Sequence, residues 1–223
     1  MTPGPASRKD ALTTLADVAE RLQRRLLPGA PPDVPGLDIA FTYRSASAGV
    51  LSGGDFVDYY ARPPSGSLAF AIGDVAGKGV DAMATTFVTK FMLRGAVYGG
   101  HLSWPTHPGD ALQELRNGLL EQQDFGWDTE RFVTVLFGQL TPRTGILQLA
   151  AAGHPAPFVV REESVERPLL VTEAAIGVEL DVAEGLGDAV DLAGGSRDFS
   201  TSRRISCAIF SRASPLPSGR GRV

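Results

Sequence analysis

GGDFVDYYARPPSGSLAFAIGDVAGKGV, residues 53–80, is the stretch that decides the fold. DFVDYYAR is rich in aromatic and β-branched residues, ARPPSGS is a Pro/Gly turn, and SLAFAIGD is a second apolar run that ends in Asp74. The stretch therefore reads as a hairpin with its two strands side by side. It carries Asp55 and Asp74 from distant positions to one end of a sheet, each in a bend among Gly53, Gly54, Gly73, Gly77 and Gly79. Glycine lets the backbone approach something small, and carboxylates offer hard oxygen ligands. A divalent cation is the natural guest.

Downstream, VDAMATTFVTKFMLRGAVY reads as a helix that starts at Gly79 and packs on the sheet through Ala82, Met83, Thr86, Phe87, Phe91 and the small residues Ala84 and Gly95. Its first turn lies just beyond Asp74, where free amides suit a phosphate. PGDALQELRNGLLEQQ is a second helix, with Asp110 near its start and Ala111, Leu112, Leu115 and Leu119 facing inward. RFVTVLFGQL, the turn TPRTG and ILQLAAAG make a second hairpin, with Pro142 and Gly145 at turn positions. Short strands are expected in APFVVRE, RPLLVTE and AVDLAG. Upstream, LDIAFTYR alternates Leu37, Ile39 and Phe41 as a half-buried strand does. Strands, two long helices and strands again predict an α+β fold built in layers.

Residues 1–30 form an N-terminal tail and an amphipathic helix. From Ala11 to Leu27 the residues Leu12, Leu15, Val18, Ala19, Leu22 and Leu26 recur at helical spacing, and Pro28 and Gly29 end the run. Two uses of that stripe stay open: packing on its own domain, or a linker helix that forms a homodimer through residues 11–27. Residues 31–195 make the main domain. The remainder, 196–223, is a basic Ser/Arg-rich tail expected to be disordered.

A chain of 223 residues with 43% hydrophobic and 21% charged residues suits one sizeable core rather than several. Its net charge of -4 lacks the basic footprint of nucleic-acid binding. Cys207 is the single cysteine, so no internal disulfide is available and a reducing cytoplasm is the expected setting. No secretory-signal pattern opens the chain, and no apolar run approaches the span of a bilayer, which predicts a soluble protein without a membrane partner.

Other chemistry fares less well. GDVAGKGV has a Gly-Lys pair, but a phosphate-binding P-loop needs Ser or Thr where Gly79 stands. Cys207 and Arg212 are separated by four residues where a cysteine phosphatase has five, and no glycine-rich cradle joins them. His154 in AAGHPAP suits a general acid, yet a Pro-flanked turn explains it as structural, and that reading is kept.

GGDxxD, an apolar strand and DVxGKG before a small-residue helix together resemble the bacterial branch of the metal-dependent PPM protein phosphatases, the SpoIIE-type domains of sigma-factor partner switching. LQRRLLPGAPPDVPGLDIAFTYRSAS resembles the usual lead-in, and RFVTVLFGQLTPRTGILQLAAAGHPAPFVV the middle hairpin, so the likeness runs from Leu22 to Leu192. It implies a layered α-β-β-α sandwich, here incomplete at the C-terminal end. Asp55 and Asp74 would be metal ligands, joined by the backbone carbonyl of Val75. Either aspartate alone passes for a turn residue; the pair, flanked by glycines and matching the pattern, does not. Asp58 fills the second acidic position of GGDxxD, as a support behind the ligands or as a surface strand residue. The family uses two Mn²⁺ or Mg²⁺ ions to acidify a water that attacks phosphoserine or phosphothreonine in line. The implied partner is a phosphorylated protein, in this family an anti-anti-sigma factor.

The likeness fails after residue 195. Where the family places a Thr-Asp-Gly or Ser-Asp-Gly bend and a further C-terminal Asp, both metal ligands, this chain runs SRDFSTSRRISCAIFSRASPLPSGRGRV. Six arginines face one aspartate there, +5 against -9 for the preceding residues. Such a shift reads as disorder or another reading frame. Two functions follow: a phosphatase that turns over, or a non-catalytic PPM-like binding protein or truncated gene product.

Overall fold

In the computed structural model, residues 21, 29–42, 54–62, 66–77, 79–99, 107–123, 131–161, 163–168, 170, 172–177, 188–191 and 205–210 are described. In chain order the elements are β1 (Leu37–Thr42), β2 (Phe56–Arg62), β3 (Ser67–Val75), α1 (Gly79–Tyr98), α2 (Pro108–Gln123), β4 (Val133–Thr141), β5 (Ile146–Ala152), β6 (Val159–Val160), β7 (Val165–Glu166), β8 (Thr172–Glu173), β9 (Asp188–Asp191) and β10 (Ile205–Phe210). The hairpin read from residues 53–80 forms: β2 and β3 pair antiparallel, from Phe56 opposite Gly73 to Arg62 opposite Ser67. The second hairpin forms too. Gly145 closes it with φ +69, a conformation that costs glycine nothing, and its N–H donates to the Thr141 carbonyl at 3.0 Å.

One sheet runs in the order β2-β3-β4-β5-β8, with β9 antiparallel to β5 on the same edge as β8. Side chains of β3 alternate between its two faces, as the pleat requires. Ala69 and Ala71 lie on the helical side with Phe56, Tyr60 and Phe137, where Leu93 and Val97 of α1 and Ala111, Leu112, Leu115 and Leu119 of α2 close the core. Small residues at those two positions let the helices come down onto the sheet. Phe70 faces the other way, into a cluster with Leu136, Leu140, Leu147 and Leu149 against which Leu37 of β1 and Leu170 pack. The fold is the expected layered α+β arrangement.

The inner face of α2 is the one read from its sequence. That of α1 is not. Its buried residues are Ala82, Thr85, Thr86, Thr89, Lys90, Leu93 and Val97, whereas Phe91 is 57% exposed and stacks on Phe87 outside, ring centroids 4.7 Å apart. Thr85 and Thr86 can turn inward because their hydroxyls find carbonyls: Thr85 Oγ1 donates to Asp81 O at 3.2 Å, and Thr86 Oγ1 donates to Ala82 O at 2.9 Å and lies 3.3 Å from Gly54 O. Lys90 Nζ likewise donates to Val57 O at 3.1 Å.

A correction concerns the tail. Within 196–223, expected to be disordered, Ile205–Phe210 forms β10 and pairs in parallel with β1, Leu37 opposite Ile205 and Thr42 opposite Phe210. Ile205, Cys207 and Ile209 alternate with Ser206 and Ala208, a strand pattern that the surrounding arginines obscure. The amphipathic segment 11–27 lies outside the described residues except for Arg21, which is helical. Among the described residues, no helix is long and apolar enough to cross a membrane.

Candidate metal centre

The end of β3 meets the start of β2 through backbone contact. Val75 N donates to Gly54 O at 3.1 Å, and a Cβ added to Gly54 would lie 1.9 Å from Val75 O and 2.7 Å from an Asp74 carboxylate oxygen. Only glycine permits that approach. The Val75 carbonyl and the Asp74 carboxylate thus face Gly54, the residue before Asp55. From behind, the Thr86 hydroxyl of α1 reaches Gly54 O, so helix and loop are tied together.

Asp55 and Asp74 are close enough to feel each other. The Asp74 carboxyl is raised above its ordinary range, first by partial burial and then by the negative charge of Asp55. The Asp74 carboxylate and Val75 carbonyl at Gly54, and the nearby Asp55 carboxylate, are all hard oxygen donors, and a cation between two carboxylates relieves their repulsion. The donor chemistry suits a hard divalent cation. Among the described residues, no group of three or more His, Cys, Asp or Glu side chains is gathered, so the third donor here is the Val75 carbonyl.

Asp58 takes a different place. It is buried, so the surface-strand reading is corrected, and Arg94 Nη2 donates to its Oδ1 and Oδ2 at 2.8 and 2.9 Å across the gap between β2 and α1. Arg94 also lies over the Tyr60 ring, 5.5 Å from its centroid. Burial first and the Asp58 charge second push the Tyr60 phenol far above its usual range. Asp188 and Asp191 stand away from the centre by register: Asp188 is opposite Leu149 and Asp191 opposite Ile146, toward the other end of β5.

Three further residues surround the centre, of which only His154 is singled out by the sequence. Arg131, just before β4, directs Nη1 at Ala76 O and Nη2 at Asp81 Oδ2, both 3.4 Å away, and so clasps the glycine-rich bend to the first turn of α1. Thr134 lies opposite Asp74 in the sheet, with its hydroxyl 3.4 Å from Asp74 O. His154 Nδ1 is 3.0 Å from the Thr134 hydroxyl, and burial holds this imidazole below its ordinary range. No motif marks Arg131 or Thr134; the β-pairing of Asp74 with Thr134 is what brings them in.

Comparison with known proteins agrees with this fold. A family model for Stage II sporulation protein E (SpoIIE) matches residues 64–196. Protein IcfG of Synechocystis sp. is 26% identical over 195 residues, which is 76% of this chain and 29% of IcfG, so the chain spans under a third of that curated relative. The SiaA-PP2C domain of Pseudomonas aeruginosa is similar in structure with a TM-score of 0.59 at 19% identity, over 84% of this chain and 70% of that one. The RsbU and RsbW domains of Rv1364c from Mycobacterium tuberculosis give 0.51 at 23% identity, over 69% of this chain and 39% of theirs. At these identities the two structures carry the fold.

Proposed function

Because the chain belongs to the SpoIIE family of PP2C-type phosphatase domains, we propose that it is a protein serine/threonine phosphatase whose metal is held by Asp55, Asp74 and the Val75 carbonyl. The observation that carries the reading is the approach of the Asp74 carboxylate and the Val75 carbonyl to Gly54, with the Asp74 carboxyl raised first by burial and then by the charge of Asp55. When bound, Mn²⁺ or Mg²⁺ supplies Lewis acidity that acidifies water and offsets phosphoryl charge. The chain's own residues bind and orient. Asp55 and Asp74 supply negative charge at the sheet end, Gly54 keeps the approach open, and Arg131 fixes the bend that leads into α1. Phosphoserine or phosphothreonine on a protein is the substrate class we propose, with an anti-anti-sigma type protein as the partner in partner switching. A cytoplasmic setting, consistent with the single Cys207, belongs to the same reading, as does a homodimer through residues 11–27.

A second reading is a PPM-like protein that binds a phosphoprotein without hydrolysing it. The Arg-rich sequence from Arg197 onward, where the family's further aspartates are expected, favours it. Calorimetric titration with Mn²⁺, run beside phosphate release from a phosphoserine protein, separates the two. Binding and turnover that both fall in Asp74→Asn support the phosphatase. Binding without turnover supports the second reading, and equal Mn²⁺ heats in wild type and Asp74→Asn overturn the metal assignment.

A further inference from the structure

His154 was read as structural, yet it stands in a chain of contacts that ends at the candidate metal centre. Thr134 Oγ1 is within reach of two groups, the Asp74 carbonyl oxygen at 3.4 Å and His154 Nδ1 at 3.0 Å. A threonine hydroxyl carries one proton, and a carbonyl oxygen only accepts. Both contacts are satisfied together in one way: Thr134 donates to Asp74 O, and His154 donates from Nδ1–H to Thr134 Oγ1. The imidazole is then neutral with its proton on Nδ1, the less common form of free neutral imidazole, and its Nε2 carries a lone pair. Burial keeps it neutral.

We propose that His154 is a positioning residue for the metal centre: its Nδ1–H anchors Thr134, and Thr134 in turn fixes the end of β3 on which the Asp74 carboxylate and the Val75 carbonyl stand. The backbone supports the same assignment. Thr134 and Asp74 are cross-strand partners, and Gly153, just before His154, forms a bridge with Val135, just after Thr134. Three strand ends are therefore pinned at one level, with the histidine as the outermost link. Groups behind a metal's ligands commonly act in this way, holding donor atoms in the geometry that the ion requires.

The inference rests on the metal reading above, and its test keeps the two apart. Ring ¹⁵N shifts of the metal-free protein report the tautomer directly, and among three histidines His154 is identified by the signals lost in His154→Asn. An Nδ1–H tautomer is expected. An Nε2–H tautomer or a cationic ring at neutral pH overturns the proposal. Titration with Mn²⁺ then reads the consequence. Asn places an N–H where Nδ1 stands and Gln does not, so His154→Asn should bind Mn²⁺ within about twofold of wild type, while His154→Gln and Thr134→Val weaken it by about tenfold or more. Equal losses for Asn and Gln, or none for Thr134→Val, overturn the positioning role. If wild type itself takes up no Mn²⁺, the metal reading and the positioning role built on it fall together. The tautomer measurement still decides the hydrogen-bond chain, because it needs no metal.

Discussion

Arg94 grips both oxygens of Asp58 through one nitrogen, at 2.8 and 2.9 Å, and thereby bolts the outer half of α1 to β2. Asp58 is 5% exposed and also accepts from the Tyr59 N–H at 3.1 Å, so losing Arg94 leaves a buried carboxylate without the guanidinium that offsets its charge. Arg94→Met is expected to cost about 1–3 kcal/mol, less than a fully enclosed pair because the arginine side chain is 46% exposed. Urea unfolding of Arg94→Met, Asp58→Asn and the double variant measures the coupling. Mn²⁺ affinity within about twofold of wild type in each single variant would mark the pair as structural, and a loss of about tenfold or more would mark Asp58 as a support behind the metal ligands.

Gly54→Ala forces its new Cβ against the Val75 carbonyl, which is backbone within a paired strand and has nowhere to retreat, and against the Asp74 carboxylate. A loss of about 1–3 kcal/mol is expected from overpacking, together with a Mn²⁺ affinity lowered by about tenfold or more. Thermal melts with and without Mn²⁺ check both. An alanine variant stabilised by Mn²⁺ as strongly as wild type would show that this cradle plays no part in binding.

His154 should make stability depend on pH with a definite sign. Its folded value is depressed from 6.5, so well above 6.5 neither folded nor unfolded chain protonates it and it contributes nothing. As pH falls below that value the unfolded chain takes up a proton that the folded chain resists, and stability is lost. The melting temperature of wild type should therefore drop further between about pH 7.5 and about pH 5.5 than that of His154→Asn. Asp74 acts lower down and with the opposite sign. Its folded value is raised above 3.8, so in metal-free protein its contribution is full below 3.8 and lost as pH rises through the folded value.

Self-association is expected to depend on residues 11–27. Deleting the residues before Pro28 should lower the mass per particle seen by light scattering from dimer to monomer, because an apolar helical stripe without cover buries itself against a copy. An unchanged mass after the deletion would dispose of the idea.

What the sequence made legible follows local chemistry. The β2–β3 hairpin, the Gly145 turn and the inner face of α2 each rest on residues within one element, and each stands as read. In α1 hydrophobicity misleads: Phe87 and Phe91 are outside, while Lys90 is inside, where its Nζ donates to Val57 O. Thr86 is inside as read, and the acceptors Gly54 O and Val57 O lie more than thirty positions from Thr86 and Lys90, beyond any local window. Thr134, Arg131 and the link from His154 are set by cross-strand register, which a motif does not display.

The parallel pairing of β1 with β10 has a consequence for the order of assembly. On a ribosome, β2, β3, α1, α2, β4 and β5 emerge in turn, and each joins a neighbour already present or soon to follow. β1 appears before all of them, yet its partner, residues 205–210, is made after every other strand. The earliest of the described strands is thus left unpaired longest, and its docking is the contact of longest range and greatest loop-closure cost in the described fold. A nascent chain halted before Ile205 should hold the main sheet while leaving the β1 edge open to holdase chaperones.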